Sequence, residues 1–279
     1  MSVELPEAYI LAKQMNRELT GKQVVAYSLQ NCAKYQDLGF LNTYLSDYDR
    51  LCGRRIESVV SRGNTIRVKL DREMNLLLAP EYGGIIRFHS KGSVVPSKYH
   101  FKLSFTDETV LTVTLAGMGI IKAQTNEEIE QSYVYKRDFS AITSPVEDDF
   151  TFERFSKGLT HSGVNLKTII VGKDAVVVGL GNAAFQDILY RAHIHPKRKA
   201  SDLNPSEQRA LFDAILFVVQ QRINLGGKNQ FVDLYGKQGG YVPFMGPNMK
   251  GKICTTCGGD VEKLSLGGGQ VYFCANCQK

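Results

Sequence analysis

At 279 residues, with 43% hydrophobic and 22% charged residues, the chain is long enough for two globular domains, each with its own core. No apolar run reaches the roughly eighteen residues of a membrane span, and no basic-then-apolar segment marks a secretion signal, so a cytoplasmic protein with no membrane partner is expected. A net charge of +6 and a pI near 8.9 permit a polyanionic partner without requiring one, and six cysteines without a signal peptide argue against a disulfide framework.

The chain opens MSVELPEAY. Pro6 suits the first turn of a helix, and Ala8, Leu11, Ala12, Met15 and Leu19 recur at helical spacing until Gly21, which predicts a helix over 6–19. From Lys22 to Gln124 the texture changes to short β-type segments: VVAYSLQ, RIESVVS, TIRVKL, NLLLA, GIIRFHS, KYHFKLSFTD, TVLTVTLA and GIIKAQT. Turn residues such as Arg62-Gly63-Asn64 separate them, and many closely spaced strands after one helix predict a sandwich or barrel-like β domain. Cys32 and Cys52 read as reduced, buried thiols.

The polar stretch from Asn126 to Asp149 reads as an interdomain linker. Beyond it the pattern turns helical in FTFERFSKGL, NLKTIIV, NAAFQDILYRAHI and PSEQRALFDAILFVVQQRI. Asn204, Pro205 and Glu207 form an N-cap, first-turn proline and capping-box carboxylate for the last of these. The expected domains are 1–130, a linker at 131–150, a helical domain at 151–250 and a C-terminal hairpin at 251–279.

Cys254-Thr255-Thr256-Cys257 and Cys274-Ala275-Asn276-Cys277 form a C-x2-C, C-x2-C pair. Each knuckle puts two thiolates on one metal, and two knuckles complete a tetrahedral sulfur site for a structural Zn2+. The segments EKLSL and QVYFC can pair as a hairpin with the glycine tip Gly267-Gly268-Gly269. Upstream, Val178-Gly179-Leu180-Gly181-Asn182 reads either as a tight turn with an asparagine N-cap or as a place where backbone amides approach a phosphate. The run RAHIHPKRK after it packs Arg191, His193, His195, Lys197, Arg198 and Lys199 between two helices. That makes a phosphate-contacting edge or a solvated charge run whose histidines cap or pack.

The combination of ELPE at 4–7, GLGNAAFQDILYRAHIHP at 179–196 and CANCQK at 274–279 resembles the formamidopyrimidine-DNA glycosylase and endonuclease VIII family. The resemblance implies an α+β fold: an N-terminal β-sandwich with a long N-terminal helix, then a helix–two-turn–helix domain with a four-cysteine zinc hairpin. It also implies a monomer that binds double-stranded DNA carrying a damaged base or abasic site, nucleoid-associated in a bacterium, and that flips the lesion out of the stack. In the family a terminal amine attacks the sugar C1′ to give a Schiff base, and the adjoining glutamate moves protons. On that basis Glu4 is the acid–base residue and Glu7 supports it; Val3 holds the nucleophile's position with its nitrogen in a peptide bond, so either the Ser2 amine reaches the sugar or the Schiff-base route is lost. Asn182 and Gly181 take a phosphate beside the flipped nucleotide, and Arg62, Asn64, Lys197, Arg198 and Gln270 complete the DNA-binding set. Residues Gly227 to Gly240 form a mobile base-contacting loop.

The chain departs from the family where the chemistry lies. Val3 stands at the position of the nucleophilic proline, with Ser2 before it. Asn64 replaces a phosphate-contacting lysine. The wedge loops read Leu115-Ala116-Gly117-Met118-Gly119 and Leu78-Ala79-Pro80-Glu81-Tyr82-Gly83, with Met118 or Tyr82 as the replacement wedge. Gly269-Gln270 stands where a hairpin arginine grips phosphates, and the Asn-x-Tyr-x-x-Glu run has become Asn182 to Asp187 with Phe185 inside it. Two readings follow: a divergent glycosylase of base excision repair, with or without lyase activity, or a catalytically inactive protein of the same fold that binds damaged or structured DNA.

Overall fold

The computed structural model describes residues 3–139, 142–159, 163–172 and 175–279. It divides into two compact units, Met1–Ser140 with Leu225–Gly240, and Ala141–Asn224 with Tyr241–Lys279. No helix among the described residues is long and apolar enough to cross a membrane.

The first unit begins with α1 (Leu5–Leu19), whose face of Ala8, Leu11, Ala12, Met15 and Leu19 is buried. Strand β1 (Val24–Leu29) and the short α2 (Ala33–Asp37) follow. Then come β2 (Ile56–Arg62), β3 (Thr65–Leu70), β4 (Met74–Ala79), β5 (Ile85–His89), β6 (Phe101–Phe105), β7 (Val110–Thr114) and β8 (Ile120–Thr125). All eight expected strands form. They pair antiparallel in two four-stranded sheets, ordered β1-β6-β7-β5 and β2-β3-β4-β8. Alternating positions on both sheets, among them Val68, Leu76 and Ile121 on one and Phe101, Leu103 and Val113 on the other, share one core with α1. That is a sandwich closed by a helix.

Two stretches fold differently from the sequence expectation. The polar segment after β8 is not an extended linker at its start. It forms α3 (Asn126–Gln131) and α4 (Tyr133–Asp138), because Thr125 and Glu128 make a reciprocal capping box, and Ile129 and Val134 bury against Leu77 on the outer face of β4. Residues 225–240, inside the span expected as one helical domain, belong to the first unit. Phe231 and Leu234 enter its core, the Leu234 carbonyl accepts from Phe88 N–H at 3.1 Å, and Gln14 Nε2 donates to Asp233 Oδ2 at 2.8 Å. The loop is therefore tied down, not mobile. Cys32 is buried as expected, but Cys52 is exposed, since it follows the helical turn Leu45–Leu51 at the surface.

The second unit contains α5 (Phe152–Leu159), α6 (Leu166–Ile170), α7 (Asn182–Arg191), α8 (Pro205–Asn224) and a hairpin of β9 (Glu262–Leu266) with β10 (Gly269–Phe273). Phe150, Phe155 and Phe212 cluster about α5 and α8, with Phe150 stacked on Phe212 and edge-on to Phe155. The expected cap of α8 is in place: Glu207 N–H donates to Asn204 Oδ1 at 3.0 Å, and Asn204 N–H to Glu207 Oε2 at 2.8 Å. The hairpin turns on Gly267 and Gly268, both at positive φ (51° and 74°), which is the backbone that a two-residue type I′ turn demands.

Candidate functional site

The N-terminal corner belongs wholly to the first unit. Glu4 is the N-cap of α1, and it makes a reciprocal capping box with Glu7, in which Glu4 N–H donates to Glu7 Oε2 at 3.2 Å. Pro6 follows in the first turn, where its missing N–H leaves no bond unmade. Both carboxyls are buried, Glu4 at 2% exposed and Glu7 at 0%. Glu7 Oε1 also accepts Lys228 N–H at 3.2 Å, so this carboxylate fastens the 225–240 segment to the start of α1.

Val3 is buried, and its N–H donates to the Glu81 carbonyl at 3.1 Å. The side chain of Glu81 accepts from Arg137 Nη1 at 3.3 Å and from Asn64 Nδ2 at 3.4 Å. Arg137 reaches Asn64 Oδ1 at 2.5 Å and forks onto Asp138 at 2.6 and 2.9 Å. These carboxylates raise the guanidinium pKa despite its burial, so the positive charge is fixed. Arg62 Nη1 donates to the Asp138 carbonyl at 2.7 Å, and Thr65 Oγ1 to Asp138 Oδ2 at 2.5 Å. The structure thus gathers Val3, Glu4, Glu7, Arg62 and Asn64 in one unit; Ser2 lies outside the described residues. Glu81, Arg137 and Lys228 were missed by sequence reasoning. Arg137 lay in the stretch read as linker, and only the α4 periodicity could have drawn attention to it.

Beside this corner, Tyr82 and Met118 stand exposed on adjoining loops. Tyr82 N–H donates to the Met118 carbonyl at 3.1 Å, and with Gly83, Ala116 and Gly117 they line an open cavity of about 460 Å³. Gly83 (φ +65°) packs against Ala116, where a Cβ would stand 3.1 Å from its methyl.

In the second unit the four cysteine sulfurs lie within 4.8 Å of one another. Cys254 and Cys277 Sγ are 3.7 Å apart, and Cys257 and Cys274 Sγ 3.5 Å. Tetrahedral thiolates at a metal–sulfur distance of about 2.3 Å would stand about 3.8 Å apart, so this cluster could hold a metal ion. Gly259 N–H donates to Cys257 Sγ at 3.4 Å, and the Tyr190 hydroxyl lies 3.2 Å from Cys254 Sγ. These contacts orient the sulfurs as outer partners do around a metal.

The Gly-Leu-Gly-Asn turn puts Gly181 at the N-cap of α7 and Asn182 at its first helical position, so the asparagine is not the cap. Asn182 Nδ2 instead donates to the Gln270 carbonyl at 2.9 Å. Gln270 is exposed, with Nε2 on Ser265 Oγ at 3.0 Å. Lys197 is exposed, whereas Arg198 forks onto Glu207 at 3.0 Å through both Nη atoms and holds the turn before α8. The two histidines differ: the exposed His193 meets the Cys277 carbonyl through Nδ1 at 3.2 Å, and the His195 ring stands edge-on to Phe273. Asp187 is buried and accepts from Phe244 and Met245 N–H at 2.8 and 3.1 Å and from the Tyr241 hydroxyl. Its carboxylate thus pins the segment that leads to the first knuckle.

Two domain models of one family match the chain. The formamidopyrimidine-DNA glycosylase N-terminal domain matches residues 3–115, and its H2TH domain residues 142–232. The chain is 26% identical over 284 residues to the formamidopyrimidine-DNA glycosylase of Streptococcus mutans, covering 99% of both. It is 27% identical over 235 residues to that of Halalkalibacterium halodurans, covering 82% of this chain and 83% of the other. Among solved structures, Lactococcus lactis Fpg in complex with an abasic site containing DNA superposes with a TM-score of 0.84 at 20% identity, over 99% of each chain. The two domain models, with relatives matched over nearly the whole length, show that the chain belongs to the formamidopyrimidine-DNA glycosylase family.

Proposed function

We propose that this protein is a DNA glycosylase of base excision repair, binding duplex DNA that carries a damaged base or an abasic site. Family membership and the named relatives support this reading, as does the abasic-site DNA in the L. lactis complex. The observation that carries the chemistry is Glu4, a carboxyl 2% exposed held at the N-cap of α1 directly after the Val3–Glu81 hydrogen bond. A carboxyl fixed there can protonate the sugar ring oxygen and take a proton back as the base departs.

With Ser2 in place the Val3 nitrogen is an amide, and its lone pair is delocalised. The amine route then needs the Ser2 terminus, forming an iminium with the sugar and opening the way to strand cleavage by elimination. Without that amine, Glu4 activates a water on C1′ and the enzyme releases the base only. Arg137 holds Asn64 and Glu81 in register, and the Arg62 and Asn64 turn presents the unit's polar edge to the strand. On the second unit Asn182, Gly181, Gln270 and Lys197 serve the phosphates, and Arg198 shapes their turn. Cys254, Cys257, Cys274 and Cys277 suit Zn2+, which would cross-link the knuckles and take no part in the reaction.

The test begins with the mass of the mature protein, which defines its terminal residue. Incubation with duplexes carrying an abasic site or oxidised bases, with borohydride, then reads the route. A trapped adduct lost when the Ser2 amine is acetylated establishes amine catalysis. Base release without trapping establishes the water route. Tight binding with no product from any lesion would overturn the enzyme reading and leave a DNA-binding protein.

A further inference from the structure

Among backbone nitrogens the amine route falls to Ser2, but a side-chain amine also stands at the Glu4 corner. Lys228 is 4% exposed, and among the described residues of the first unit it is the one buried lysine or arginine. Its backbone N–H donates to Glu7 Oε1 at 3.2 Å, while Glu7 Oε2 accepts the Glu4 N–H at 3.2 Å. A single carboxylate, itself 0% exposed, therefore joins the backbone of Lys228 to the backbone of Glu4. A lysine stem spans about 6 Å, which tethers the ε-amine to the neighbourhood of the corner.

The surrounding backbone fixes where this side chain starts. The Lys228 carbonyl accepts Phe231 N–H at 2.8 Å, and Phe231 lies in the sandwich core. Gly239 N–H donates to the Phe231 carbonyl at 3.0 Å, and a Cβ on Gly239 would stand 2.4 Å from the carbonyl oxygens of both Gly227 and Lys228. Glycine at 239 therefore lets the chain lie directly on the Lys228 peptide, whose N–H, carbonyl and one face are all held. Lysine is rarely buried, and taking its charge out of water is costly. A buried lysine on a fixed backbone beside an acid–base carboxyl is the arrangement that amine catalysis needs. The Val3 nitrogen, by contrast, is an amide committed to the Glu81 carbonyl.

We propose, resting on the glycosylase reading above, that the ε-amine of Lys228 is the nucleophile that attacks the sugar C1′. The N–C1′ bond forms as the C1′–base bond breaks. The base leaves with the bonding electrons and takes up a proton, and the nitrogen releases one. Opening of the C1′–O4′ bond, with a proton from Glu4 to O4′, leaves an iminium between Lys228 and the sugar. Loss of a 2′ proton and departure of the 3′ phosphate then break the strand, and water returns the free amine and an aldehyde. At an existing abasic site the same amine condenses with the C1′ aldehyde and releases water.

The test uses the full zinc-loaded protein, an abasic-site duplex and duplexes carrying oxidised bases, all with borohydride present. Reduction of the iminium fixes the sugar on its nitrogen, and proteolysis with mass spectrometry locates it. The adduct should map to the peptide carrying Lys228. Lys228→Arg, which keeps the charge and removes the nucleophile, should form none, and neither should Lys228→Met. An adduct on any other residue, or one undiminished in Lys228→Arg, would overturn the proposal. If both variants lose zinc or melt early, the adduct mapped on the parent protein decides alone. No adduct from the abasic duplex overturns the Lys228 assignment, and base release in the same reactions then leaves the glycosylase reading standing. An adduct on Lys228 with no release of any base would count against the glycosylase reading alone.

Discussion

The cysteine knuckles and the Glu4–Glu7 corner hold their geometry by opposite means. Each knuckle is a tight local turn, with Cys254 N–H on the Gly259 carbonyl at 2.7 Å and Cys277 N–H on the Cys274 carbonyl at 3.2 Å, and four sulfurs converge where one ion would bind them. The corner has no such centre. It is tied to groups far away in the chain, the Glu7 carboxylate to Lys228 N–H and the Val3 N–H to the Glu81 carbonyl. A site closed by one ion should fail all at once, while a site closed by many hydrogen bonds should fail by degrees.

Metal removal is the most severe way to test that contrast. Chelation, or Cys257→Ser, should unfold the hairpin and remove DNA binding, because so small a hairpin has little core apart from its metal. Circular dichroism should show the sandwich signal persisting, and metal analysis should show the loss of zinc. Collapse of both units together would break the comparison.

At the corner, Glu4→Gln keeps the shape of the side chain but removes its proton transfer. Base release should fall by about 10²–10⁴-fold, with melting little changed and abasic-site binding retained. Glu7→Ala should do the reverse in kind: it strands the Lys228 and Glu4 N–H groups at about 1–3 kcal/mol each, read by denaturant unfolding. Glu7→Gln, which keeps an acceptor, should cost less. Equal losses of activity and stability in both variants would erase the distinction between the two glutamates.

The smallest effect is a pH dependence at Asp187. Burial raises its carboxyl pKa above the ordinary aspartate value, though Tyr241 and two backbone N–H groups oppose the shift. A raised folded pKa favours the protonated form, so this contribution to stability is complete below the unfolded pKa near 3.9 and is lost as pH rises through the folded value. Asp187→Asn should remove that decline in melting temperature with rising pH while leaving the knuckles loaded. An unchanged pH profile would show that the carboxylate is fully compensated by its donors.

How much of this was legible follows the same divide. The eight strands, α1, α7, α8 and the knuckles were readable because each is written in local periodicity, caps or spacing. Arg137, Glu81 and Lys228 were not, because their contacts arise only when the fold of the first unit brings distant residues together. The glycine triplet at 267–269 read only as a hairpin tip; that Cβ atoms at Gly267 and Gly269 would stand 3.3 and 3.2 Å from the Lys167 side chain was not visible in the sequence. The polar stretch after β8 misled for a related reason. Two buried apolar residues, Ile129 and Val134, together with the buried Asp138, dock short helices whose sequence otherwise reads as polar.

The return of residues 225–240 to the first unit has a consequence for how the protein is made. Phe231 and Leu234 complete the sandwich core, and the Glu7–Lys228 bond spans 221 positions. A ribosome emits residues at about 5–20 per second, so α1 and the strands wait on the order of ten seconds for their last partners. During that wait Gln14 and the buried edge at Phe88 lack their native bonds, and the sandwich is a nascent chain in need of protection. Order of synthesis and order of completion are inverted here: the second unit's α7 and α8 emerge before the first unit can close.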